Sequence, residues 1–181
     1  MSAIGMNEFM SIPTGMFACD AMLKAADVEL VSAGCVCAGK YYIVVTGDVA
    51  AVRSAVEAGK ADSESYLVDS LVIPNVDPQV APAICACTSV EQLNALGIME
   101  CYSLCAAIHA ADAAAKAADV TLLEVRLGRG LGGKSFVLLT GEVAAVEASI
   151  RAAEAVEETQ GLMARSCVIP SPHPDMLKAI G

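Results

Sequence analysis

Lys24-Ala25-Ala26-Asp27-Val28 is spelled out a second time, unchanged, as Lys116-Ala117-Ala118-Asp119-Val120, and that recurrence decides how the chain is built. Matches spread from it in both directions. Upstream, Ala3-Ile4-Gly5 aligns with Ala95-Leu96-Gly97, Glu8 with Glu100, and Asp20-Ala21 with Asp112-Ala113. Downstream, after two extra residues in the second copy, Gly39-Lys40 aligns with Gly133-Lys134, and Thr46-Gly47-Asp48-Val49 with Thr140-Gly141-Glu142-Val143. Val72-Ile73-Pro74 and Val168-Ile169-Pro170 close the two copies. Punctuation by Gly, Asp and Pro at matched places marks one folding unit used twice. The expected domains are residues 1–88 and 95–181, with a short linker across about 85–94.

Within one copy the hydrophobic periodicity switches in a readable order. Residues 3–10 read as a strand. Ser11 precedes a helical stretch to about Ala26 in which Met16, Cys19 and Leu23 share one face. Val28 to Val36 and Tyr41 to Thr46 read as strands joined by the turn Gly34-Cys35-Val36-Cys37-Ala38-Gly39-Lys40. Gly47-Asp48 then supplies a stop and an N-cap for a helix carrying Val49, Val52 and Val56, and Leu67 to Ile73 is a last strand ended by Pro74. The order β-α-β-β-α-β is the ferredoxin-like split βαβ, an α+β fold with an antiparallel sheet and helices on one face.

Composition narrows the function. Residues classed as hydrophobic make up 56% of the 181, aromatics only 4%, and Trp is absent, so small side chains suited to close helix packing and flat subunit contacts dominate. A net charge of -10 opposes nucleic-acid binding, which rests on clustered Lys and Arg. The N-terminus lacks a basic segment followed by an apolar one, and no apolar run approaches the roughly 18 residues that span a bilayer. A soluble cytoplasmic protein without a membrane partner is expected.

Eight cysteines in such a chain are better read as thiols or metal ligands than as a disulfide framework. Cys35/Cys37 and Cys85/Cys87 are C-x-C pairs, Cys101 and Cys105 are four apart, and Cys19 and Cys167 stand alone. With only His109 and His173 beside them, a complete metal site within one chain is not expected. No C-x-x-x-C-x-x-C run is present to support a radical enzyme. Cys19, Cys85, Cys87, Cys101, Cys105 and Cys167 match other residue types across the repeat and read as packing residues. Cys35 is a spare ligand or, better, a packing or turn residue; His109 reads as core or interface, and His173 as a surface loop residue.

The second turn, Gly128-Arg129-Gly130-Leu131-Gly132-Gly133-Lys134-Ser135, fits the phosphate-cradling pattern G-x-x-x-x-G-K-[ST]. That pattern works only where a helix begins at its end and aims N–H groups at phosphate. Phe136-Val137-Leu138-Leu139-Thr140 reads as a strand, so the match is a hairpin turn and no nucleotide site is expected.

Taken in order, Asp20 to Val28, the glycine-rich turn, Gly47-Asp48-Val49 and the closing Val-Ile-Pro, each present in both halves, resemble the shell proteins of bacterial microcompartments, in the class with two such BMC domains fused. The resemblance covers nearly the whole chain. It implies a non-enzymatic structural protein, a homotrimer imitating a hexagonal tile (a pseudohexamer), tiles meeting other shell proteins edge to edge, and residence in a microcompartment shell. The turns line the central pore, which maps onto Cys37, Ala38 and Gly39 in one copy and Gly130, Leu131 and Gly132 in the other. Lys24 and Lys116 match the lysine that the family places at tile edges; read on their own they are a solvated helix face. Asn75 and Ser171 stand where an Arg often follows the final Val-Ile-Pro.

The resemblance is strongest to the iron-sulfur shell proteins of propanediol-utilisation compartments, whose Cys-Pro-Gly-Lys pore turn corresponds to Cys37-Ala38-Gly39-Lys40, with Ala38 in place of Pro. It implies that Cys37 from each of three chains binds one iron-sulfur cluster per trimer, a [4Fe–4S] group, for electron transport across the shell to redox enzymes inside. Three uncompensated thiolates around one axis would hold each other's protons on, a conflict that a metal centre removes. A shell tile whose pore passes metabolites and holds no cluster is the alternative.

Overall fold

A computed structural model describes residues 2–180. The elements follow the expected order. The first set is β1 (Ser2–Phe9), α1 (Ile12–Ala25), β2 (Val28–Val36), β3 (Lys40–Asp48), α2 (Val49–Ala61) and β4 (Leu67–Ile73). After the short α3 (Val80–Ile84) the set repeats as β5 (Ala95–Cys101), α4 (Leu104–Ala117), β6 (Val120–Arg126), β7 (Ser135–Gly141), α5 (Val143–Ala155) and β8 (Met163–Ile169).

Each set forms one four-stranded antiparallel sheet, ordered β2-β3-β1-β4 and β6-β7-β5-β8. Even irregularities are shared: the register slips between Leu30 and Ser32 in β2 and between Leu122 and Glu124 in β6. Such a slip bends the strand and sharpens its twist. Contacts group the chain into two units, residues Met1–Val76 with Arg129–Gly133, and Asp77–Gly128 with Lys134–Gly181. The second copy's glycine turn therefore belongs to the first unit.

The recurring sequence now has physical reasons. Thr46 Oγ1 donates to the Ala3 carbonyl at 2.8 Å, and Thr140 Oγ1 does the same to Ala95. The adjoining glycine has the Asp-Val step against it: a Cβ at Gly47 would lie 3.3 Å from the Asp27 carbonyl, and one at Gly141 would lie 3.0 Å from that of Asp119. Gly5 admits α2 to the sheet, since a Cβ there would sit 2.6 Å from Val52 Cγ1, and Gly97 admits α5 in the same way, 2.8 Å from Val146 Cγ1. The first core joins Ala3, Phe9, Ile43 and Val45 of the sheet to Ala18, Met22, Val52, Ala55 and Val56 of the helices.

Helix α1 opens on Ser11, whose Oγ accepts from Thr14 N, and α4 on Ser103, whose Oγ accepts from Ala106 N. Asp48 occupies the cap of α2 without a side-chain hydrogen bond. The inward stripe of α1 is Gly15, Ala18 and Met22. Met16 and Leu23 share a different face, 54% and 38% exposed, because Gly15 lets the helix settle onto Tyr41, where a Cβ would come within 2.6 Å.

Residues 77–88 pack with the second sheet. Gln79 donates to the Val120 carbonyl and accepts from Leu122 N, acting as a side-chain extension of the β6 edge, and Asp77 N donates to Asp112 Oδ1 at 2.8 Å. Val90, Leu93, Met176 and Ile180 pack against the cluster of Leu96, Leu123 and Leu138.

Candidate metal centre

The turn between β2 and β3 is short because Val36 pairs with Lys40, leaving Cys37, Ala38 and Gly39 to reverse the chain. Gly39 takes φ of 79°, a left-handed conformation that glycine adopts without penalty. Strand alternation sets the side chains: Val36 is buried, while Cys35 is exposed and Cys37 half-buried. The foot of the turn is pinned by Lys40, paired with the buried Glu8. Glu100 and Lys134 repeat that pair at 2.5 Å at the foot of the second turn.

The second turn lies against the first. Gly128, Gly130, Gly132 and Gly133 all have positive φ, from 60° to 90°, so the main chain between Arg129 and Gly133 curls with its N–H groups turned to one side. Those of Gly130 and then Gly132, aided by Leu131 and Gly133, face Cys37 and pull its thiol below the usual range against a smaller opposing effect of burial. A Cβ at Gly133 would lie 3.5 Å from the Cys37 carbonyl, which fixes how near the two turns come. Arg129 rests on Gly34, where a Cβ would be 3.1 Å from its Nη2. Cβ positions on Gly39, Gly130 and Gly132 meet nothing within 4 Å, so the tips of both turns are open.

Comparison with known proteins now bears on this arrangement. The BMC domain matches residues 3–76 and again 95–172. The chain belongs to the BMC domain family. It is 42% identical over 174 residues to the bacterial microcompartment shell protein PduT of Citrobacter freundii, covering 96% of this chain and 95% of that protein. A microcompartment protein of Desulfitobacterium hafniense DCB, known from its crystal structure, shares 50% identity with a TM-score of 0.93, each chain covered to 99%. The carboxysome assembly protein CcmO of Synechocystis is 32% identical over 90% of this chain and 60% of its own length. These relatives are named for shells and their assembly, in keeping with the non-enzymatic role expected.

Ala38, Gly39, Gly130 and Gly132 are exposed and Leu131 is half-buried, all around the two turns with Cys37. Lys24 and Lys116 stand in the last turns of α1 and α4, each 2.6 Å from an Asp one turn earlier, Asp20 and Asp112. The turn expected not to cradle phosphate runs directly into β7, with no helix at its end.

Cys101 and Cys105 are buried as expected of packing residues, and Cys19 is half-buried. Cys85, Cys87 and Cys167 depart from that expectation, since all three are exposed on this chain. Cys167 aligns with Leu71, which is buried, so the repeat gave no sign of its exposure. His109 is half-buried in α4; His173 is exposed and its Nδ1 accepts from Asp175 N. Among the described residues no cluster of three or more His, Cys, Asp or Glu could hold a metal ion. No helix among those residues is long and apolar enough to cross a membrane.

Proposed function

We propose that this BMC-domain protein is a microcompartment shell tile whose central pore holds an iron-sulfur cluster and carries electrons across the shell. The coarse part, a shell protein, follows from family membership and from identity along nearly the full length of a named shell protein. The finer part rests on one observation, the placing of Cys37 at an open turn with main-chain N–H groups facing its sulfur.

Two unequal domains per chain fill a hexagonal tile only by alternating about a threefold axis, which makes the tile a homotrimer. Cys37 from three chains then supplies three soft donors, the type that iron-sulfur groups take. The donor set fits: a thiol held toward its thiolate form, ringed by N–H donors, is suited to ligation and to hydrogen bonding at sulfur. When bound, the group, of the [4Fe–4S] type with one iron left without a cysteine, would supply one-electron transfer. Lys24 and Lys116 would meet neighbouring tiles at the edges.

The test is anaerobic purification followed by visible absorption, iron counting and EPR. A brown protein with one cluster per three chains supports the reading. A colourless, iron-free trimer would favour a tile whose pore passes metabolites.

A further inference from the structure

The first domain alone supplies the cysteine of this centre, yet the turn that faces it comes from the other half of the sequence. We propose that Arg129–Gly133 is the polar half of the Cys37 site, its N–H groups and the Arg129 guanidinium stabilising negative charge on the sulfurs and raising the potential of a cluster bound there. This inference rests on the cluster reading above.

The geometry carries it in three parts. Arg129–Gly133 groups with the first unit, apart from the sheet whose strands it connects. Three of its glycines, Gly130, Gly132 and Gly133, have positive φ, the backbone conformation from which the anion-binding concavity known as a nest is built. Gly130 and Gly132 carry open space where a side chain would go, so steric room does not demand glycine there and the backbone direction does.

Arg129 adds a full charge. Its guanidinium lies on Gly34, just upstream of Cys37, and among the described residues it forms no ion pair. A Cβ at Gly34 would crowd Arg129 Nη2, at 3.1 Å. With threefold symmetry, three such cations and three nests would surround the axis, in a chain whose net charge is -10.

The effect on redox chemistry follows from charge alone. Reduction adds one electron from a low-potential one-electron donor, breaks no bond, and leaves the sulfurs one unit more negative. Hydrogen-bond donors and cations near the sulfurs favour that state and raise the potential. The glycine run that imitates a phosphate loop in sequence thus retains an anion's geometry, with sulfur in place of phosphate.

The experiment is an EPR-monitored redox titration of anaerobically purified trimer, with dithionite as reductant and iron counted in every sample. Arg129→Gln should move the midpoint potential to more negative values, and Arg129→Lys should recover most of the difference. Gly132→Ala, which opposes the left-handed backbone without a clash, should move it the same way. Lys24→Gln removes an equal charge outside the turn and should leave the potential in place. Full iron with wild-type potentials in both Arg129→Gln and Gly132→Ala overturns the inference while leaving the cluster intact. An equal fall in Lys24→Gln also overturns it, because net charge would then suffice. An iron-free wild type overturns the cluster reading and the inference with it.

Discussion

Glu8 and Lys40 form an ion pair beneath the Cys37 turn, with side chains only 2% and 18% exposed. Glu100 and Lys134 form its counterpart beneath the second turn, but at 39% and 41% exposure. The same residues in the same register carry different energies because their surroundings differ. Removing one member of a buried pair strands a charge away from water, whereas an exposed pair is screened and worth little.

Lys40→Met should therefore destabilise the protein by about 3 kcal/mol, and Lys134→Met by less than about 1 kcal/mol. Urea unfolding at matched protein concentration measures both. Equal losses would mean that Glu8 is reached by water in the assembled protein.

The repeat, the strand order and the glycine turns were legible because they depend on local punctuation and period. The inward face of α1 was not. Nearly every residue of Ile12–Ala25 is apolar or small, so periodicity could not separate Met16, Cys19 and Leu23 from Gly15, Ala18 and Met22. Packing of Gly15 onto Tyr41 settled it, and that contact lies between residues far apart in sequence. Of the candidate site, the two matched turns could be read from the repeat, while the choice of Cys37 rested on the family resemblance. Arg129 and the facing amides could not, since the two turns align as equivalents in sequence while their proximity is a tertiary fact.

Burial, with a further push from Glu100, raises the Cys101 thiol to about 11 from 9.0. The unfolded chain loses that proton first as pH rises, so Cys101 supports the folded state fully below pH 9.0 and progressively less toward 11. Across that window the urea midpoint of Cys101→Ala should fall less steeply with pH than that of the wild type, from a lower starting stability. Parallel slopes would show that the thiol titrates alike in both states.

Lys24 and Lys116 form helix ion pairs with Asp20 and Asp112 within the chain. For Lys24 the pair is exposed and worth about 0.3–0.5 kcal/mol, so its recurrence calls for a reason outside the fold. Lys24→Ala with Lys116→Ala should leave the trimer intact by light scattering and abolish extended sheets in electron micrographs. Sheets of normal extent would place the edge contact elsewhere.

The most direct test of the pore reading compares Cys37→Ser with Cys35→Ser in anaerobic preparations, by iron per chain and EPR. Serine keeps the size of the side chain but is a poor donor for soft iron. One substitution at Cys37 would remove all three symmetry-related ligands, while one at Cys35, two residues earlier and exposed, would remove none. Wild type and Cys35→Ser should each hold one cluster per three chains, and Cys37→Ser should be a folded, iron-free trimer. A full cluster signal in Cys37→Ser would contradict the assignment.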